Sequence, residues 1–398
     1  MRKENVFRLR RPLHDLVTGF CSQLAPTNSR EGRTPQGDRT IKKLIVVVAQ
    51  TVILAQMFGC MLITSPEGVQ AQYGIWTSAL ELQRIPMRGA AWTAVLNGAQ
   101  EDCSNPDVGN QDDDTNVYVL AAAIVYARTG EKVFRDKVIH ACEQVEAKGN
   151  PGGYALAWAR ETGAYALAAD LVGYRTSGFE TWLRNMTETY EDLENRTLRE
   201  IFETRPNNWG SHAFGSLCAI YRYLGDTTSL KEIRDYWMQG FEGPNPGFRY
   251  GDDLSWHAYP YDLRVINPKH ATRNGLVLDG IIPDDMRRGG PLQDPPVHTG
   301  YPWDFLQGEI MAARILERAG MPIWEAGDRA IYRAAYRLQV ALEQKYGGWA
   351  ATGDDQWMLP FLDRAYQTHW SRAQTRLWYH GKNTGWGYVL IHEIAVDD

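Results

Sequence analysis

A chain of 398 residues exceeds one average domain, yet single closed helical domains and barrels reach this size, so one large domain is allowed. Hydrophobic residues at 44%, with 14 Trp and 20 Tyr, build a substantial core and leave rings for a surface cleft, which excludes general disorder. A formal charge of -6 argues against a nucleic-acid or membrane-surface binder, and any acidic ligand must be held by a local cluster of basic and amide groups.

The stretch from Met1 to Thr40 is Arg-rich and aperiodic, the pattern of an over-extended gene start. From Ile41 the chain reads as a signal peptide: Lys42 and Lys43, an apolar run from Leu44 to Ile63, then Val69-Gln70-Ala71, a small-residue cleavage pattern. We therefore expect residues 1–71 to be a leader and 72–398 to form the secreted or periplasmic domain. An uncleaved anchor is the alternative, since about 20 apolar residues also cross a bilayer.

The spacing of apolar residues predicts helical hairpins along the remaining chain. The first pair runs from Asn116 to Asn150, broken at Thr129-Gly130. The second joins Tyr154–Tyr174 to Gly178–Thr189 across Arg175-Thr176-Ser177. Gly210–Leu224 and Ser229–Gln239 form the third, capped at Gly225-Asp226. Asp304–Ala319 and Glu325–Tyr346 form another, joined by Gly320-Met321-Pro322, and a short final pair is expected between Trp370 and Ile391. Repeated helix, Gly-containing turn and helix predicts hairpins packed side by side in a solenoid or closed ring.

Two features stand outside that pattern. Phe241 to Pro302 is dense in Gly, Pro, Asp, His and Tyr, too long for an ordinary connection, and so a place for a functional cleft. Cys103, Cys142 and Cys218, the cysteines beyond the leader, show no CxxC spacing. Buried free thiols are expected, with one disulfide as the alternative.

The string Arg205-Pro206-Asn207-Asn208-Trp209-Gly210-Ser211-His212, opening a helix, resembles the Asn-containing helix start of alginate lyases and related uronate lyases. Asp279 to Gly320 adds to the likeness, which is closest to the glucuronan and alginate lyases of polysaccharide lyase family thirty-eight. In alginate lyase family five a His directly follows the key Asn; here Trp209 stands there, and His212 is an uncertain substitute. The resemblance implies an all-α protein, an α/α toroid of about six to seven helical hairpins.

It also implies β-elimination from a uronate polymer. Such a reaction removes the hydrogen at C5, beside a carboxylate, and expels the oxygen at C4. Asn208 with Arg288 is the expected carboxylate partner and stabiliser of the developing charge, Arg287 being an alternative to Arg288. Tyr301 is the expected catalytic tyrosine, alone or paired with His257 as base. Asn207, Trp209, His212, Trp256, Tyr259, His298 and Trp303 are expected at the acidic polysaccharide, the aromatic rings by stacking on sugar faces. No metal or cofactor is expected, because Asp112-Asp113-Asp114 lacks the spacing and closing Glu of a calcium loop and no nucleotide motif is present.

Each residue also has a plain structural role open to it: Asn208 as a helix cap, His257 as a hydrogen-bonded core histidine, Arg287 and Arg288 as a solvated face. Two other functions remain open. A glycoside hydrolase needs two carboxylates across the scissile bond, and Asp112–Asp114, Asp252-Asp253, Asp284-Asp285 and Asp354-Asp355 offer them. A non-catalytic glycan binder would use the same aromatic cleft.

Overall fold

The computed structural model describes residues 74–374 and 379–391. The expected leader, with its signal peptide and Cys21 and Cys60, lies outside the described residues. Among those that are described, no helix is long and apolar enough to cross a membrane.

The fold is all-α, with one two-residue β-hairpin in the long loop. Helix α1 (Ala79–Arg84) opens on a Ser78/Glu81 capping box, and α2 (Gly89–Gln100) follows it. Hairpins then pair α3 (Thr115–Thr129) with α4 (Lys132–Lys148) and α5 (Ala155–Val172) with α6 (Ser177–Glu188). After the short α7 (Leu198–Thr204), α8 (Asn208–Leu224) pairs with α9 (Thr227–Glu242). The loop that follows holds the hairpin β1 (Thr272–Arg273) and β2 (Leu276–Val277) and the one-turn α10 (Pro283–Met286). Helix α11 (Tyr301–Arg318) then pairs with α12 (Ala326–Tyr336), which runs through a π-helical stretch into α13 (Glu343–Tyr346). Last come α14 (Leu359–Tyr366) and α15 (Gly387–Leu390).

The four predicted hairpins all form, with ends displaced by a few residues at most. The final pair does not. Trp370–Ala373 is a single 3-10 turn, His380 bridges Gly385, and the helix that follows has four residues. Among the described residues of this stretch, the apolar Trp386, Val389, Leu390 and Ile391 are buried against the core without forming a hairpin.

Helices α2, α3, α5, α8 and α11 lie side by side, while α4, α6 and α9 cover them from outside. The reason is composition. Helix α5 is apolar on all sides and buried over nearly its full length, whereas α6 keeps one polar face for solvent. The inner helices approach closely because small residues face each other. A β-carbon on Gly308 of α11 would sit 2.2 Å from the Ser211 backbone of α8. One on Gly163 of α5 would sit 2.8 Å from the Ser216 hydroxyl.

These contacts also fix direction. Arg160, Asn208 and Asp304 meet at one level, near the starts of α5, α8 and α11. Gly163, Ser216 and Met311 meet further along the same three helices. The three therefore run parallel, and their N-termini open on one end of the protein.

The segment before α1 ties the first element to the last ones. Trp76 is buried against Trp357 and Phe361, and Glu81 binds Arg314 at 2.6 Å, Arg318 at 2.9 Å and Arg364 at 3.0 Å. Cys103, Cys142 and Cys218 are buried free thiols, as expected.

Candidate functional site at the helix N-termini

Helix α8 begins where its sequence predicts a cap. Asn207 is the N-cap, its Oδ1 accepting from the Trp209 N–H at 3.1 Å and its Nδ2 donating to Asp284 at 2.8 Å. Both ends of that amide are thus used by the protein. Asn208 follows inside the first turn, fully buried, and its Nδ2 donates to Asp304 Oδ2 at 2.6 Å.

His212, one turn on, shares a face with Asn208, and its Nε2 lies 2.9 Å from Asp304 Oδ1. Arg160 of α5 completes the set with 2.7 Å to Asp304 Oδ2. One carboxylate therefore takes donors from three inner positions. Burial would raise its pKa, but Arg160, His212 and Asn208 outweigh burial and hold Asp304 well below the usual carboxylate range.

The second half of the site comes from the long loop. Asp284 binds Arg287 at 2.5 Å, the Gly251 N–H and Asn207, so despite burial it stays below the ordinary carboxylate range. Its neighbour Asp285 is pushed well up, by burial first and by Asp284 second. Asp285 accepts the Asn208 N–H at 3.2 Å through Oδ1. Two adjacent aspartates thus hold the two adjacent asparagines, one with its pKa lowered and one with it raised.

Arg288 is exposed and stacks its guanidinium 4.2 Å from the Tyr301 ring centre, at the first residue of α11. Tyr301, Arg288, Arg287, Asn207, Asn208 and His212 are therefore gathered around the starts of α8 and α11. Trp209 sits beside them, half-buried under Arg196 at 5.0 Å and Arg205 at 5.9 Å.

Other expected residues lie elsewhere. His257 is 1% exposed, packs edge-on against Tyr250 at 4.7 Å, and is lowered to about 4 by burial above all. It is a neutral histidine, as a base must be, but it stands behind Asp284 and presents no atom to a polymer. Trp256 and Trp303 are core residues whose indole N–H groups go to the Gly290 and Trp349 carbonyls, so their faces are not sugar platforms. Tyr259 stacks on the exposed Tyr261 at 5.8 Å. His298 is exposed and lies edge-on to Trp349 at 5.0 Å.

Sequence reasoning missed Arg160, Glu161 and Asp304. A signal was available: Arg160-Glu161 is a charged pair inside LAWARETGAYALAAD, an otherwise apolar helix that must be buried. Glu161 is 1% exposed, neither of its carboxyl oxygens finds a partner among the described residues, and burial pushes its pKa well up. Asp355 is likewise raised by burial and by Asp354, and accepts from Gln307 at 3.1 Å.

This end of the molecule thus combines Asp304, whose pKa is lowered, buried acids whose pKa values are raised, two asparagines and a Tyr–Arg pair. Proton transfer to and from a bound ligand is chemistry these groups can perform. The chain matches no protein-family model, and no curated protein matches it.

Proposed function

We propose that the protein is a polysaccharide lyase that cleaves a uronate-containing glycan by β-elimination, on an α/α-toroid scaffold. The observation that carries this reading is the Tyr301–Arg288 pair at the start of α11, one helical turn before Asp304, which in turn holds the buried Asn208 and His212 of α8. Ring closure is supported by Glu81, which joins the first helix to α11 and α14.

In this reading the exposed Arg288 holds the substrate carboxylate and the helix N-termini favour its negative charge, while the buried Asn208 stays behind them and positions Asp304. Tyr301 takes the C5 proton as the C4=C5 bond forms. The C4–O bond breaks, and the proton that Tyr301 has taken from C5 passes to the departing oxygen.

A hydrolase is the second reading, favoured by the lowered pKa of Asp304 beside the raised ones of the buried acids Glu161 and Asp355. An ultraviolet assay for unsaturated uronate ends on glucuronan, polymannuronate, polyguluronate and neutral controls separates the two. Absorbance rising on one uronan, and lost in Tyr301→Phe, is the expected result. New saturated reducing ends without absorbance would replace the lyase with the hydrolase.

A further inference from the structure

A cavity of about 250 Å³ opens beside α3, walled by Asn97, Glu101, Tyr118, Tyr379 and His380 over a floor of Trp386. The floor is built in. Gly98 lies so near Trp386 that a β-carbon would stand 2.7 Å from the indole, and the indole N–H donates to the Val117 carbonyl at 3.2 Å. Trp386 itself holds φ 67, a left-handed conformation costly for a bulky residue. Asn116 fastens the same segment to α3 by donating to the Lys382 and Asn383 carbonyls. Tyr118 and His380 meet edge-on at 5.8 Å, so the cavity is a rigid aromatic bowl with a polar rim.

Its surroundings are acidic. Glu101 is in the wall, and Asp113, Asp114 and Asp354 stand close enough to act on Tyr118 or His380. Among the described residues, two cations oppose them. Lys382 faces Asp114 at 3.9 Å, and Lys137 bonds to the Ala99 and Glu101 carbonyls behind the wall. Burial lowers His380 and keeps it neutral at pH 7. A uronate here would meet like charge, whereas an ammonium would meet carboxylates and ring faces together.

We propose that this bowl is a saccharide subsite selective for a hexosamine with a free amine. The proposal rests on the carbohydrate-active reading of the protein but not on its elimination chemistry. A pyranose stacks on the aromatic walls, and its ammonium lies toward Glu101 and Asp114.

Calorimetric titration of the full chain with a glucosamine tetramer, its fully N-acetylated counterpart and a mannuronate tetramer tests it. The glucosamine tetramer should bind at least about 10-fold more tightly than the acetylated one. Glu101→Gln should weaken that binding about 10-fold, Tyr118→Ala should abolish it, and Tyr301→Phe should leave it unchanged. Equal affinity for both neutral and cationic tetramers, no binding of any, or binding indifferent to Glu101→Gln and Tyr118→Ala would overturn the subsite. Absence of unsaturated ends in the lyase assay would not touch these outcomes, because binding is read directly.

Discussion

Asp304 Oδ1 and His212 Nε2 lie 2.9 Å apart, and that contact determines the histidine's tautomer. An ionised carboxylate only accepts, so Nε2 carries the proton and Nδ1 keeps a lone pair. Nδ1 is buried and finds no partner among the described residues. His212 is lowered by burial, which outweighs the attraction of Asp304, and so is neutral at pH 7. We expect nitrogen NMR to report the Nε2-protonated tautomer in the wild type and its loss in Asp304→Ala. The same substitution should lower kcat at least about 100-fold, with a smaller change in KM, because it releases Asn208 and Arg160 together. A wild-type tautomer persisting in Asp304→Ala would remove Asp304 from its positioning role.

Much of this arrangement was legible in the sequence, and the rest was not for definite reasons. Hairpins show because apolar spacing and Gly-containing turns are local properties, as at Thr129-Gly130 and Gly225-Asp226. The Asn208–His212 spacing placed both on one face. Asp304 was passed over because its partners lie 92 and 144 positions away in sequence, and only packing of α5, α8 and α11 brings them together. Trp256 and Trp303 misled because aromatic residues near a cleft serve core and ligand alike, and a loop sequence does not say which way a ring turns.

Glu81 should make stability fall in acid. Burial would raise its pKa, but Arg314 and the Ser78 cap outweigh burial and bring it down to about 2. Its folded pKa lies below the unfolded value, near 4.3, so its contribution is present above about 4.5 and disappears as pH falls toward 2. Glu81→Gln should therefore cost about 2–3 kcal/mol at pH 7 and almost nothing at pH 2. Melting temperatures of the two proteins measured across that range check it, and parallel curves would contradict it.

Asp170 should act with the opposite sign. It is 4% exposed, accepts from the Ile75 N–H at 3.5 Å and faces Arg175 at 3.6 Å. Burial nevertheless pushes it up to about 6. The folded chain holds this proton where the unfolded chain has lost it, so stability declines as pH rises from about 4 to about 6. Asp170→Asn removes the charge and keeps an acceptor. It should gain about 1–2 kcal/mol above pH 7 and nothing at pH 4, read from urea midpoints at the two pH values.

The close approach of α8 and α11 rests on Gly308. A β-carbon there would fall 2.2 Å from the Ser211 carbonyl carbon and 2.4 Å from the His212 nitrogen, both backbone atoms that no side-chain rotation relieves. The helices must separate, and with them the level at which His212 and Asn208 reach Asp304. Gly308→Ala should therefore cost about 3 kcal/mol or more and lower turnover as well. Gly243→Ala is the matched control: its φ of -171 suits any residue and nothing lies within 4 Å of the added carbon, so its midpoint should move by less than about 0.5 kcal/mol. If both variants unfold alike, the helix contact is looser than these distances require, and the Asp304 cluster does not depend on it.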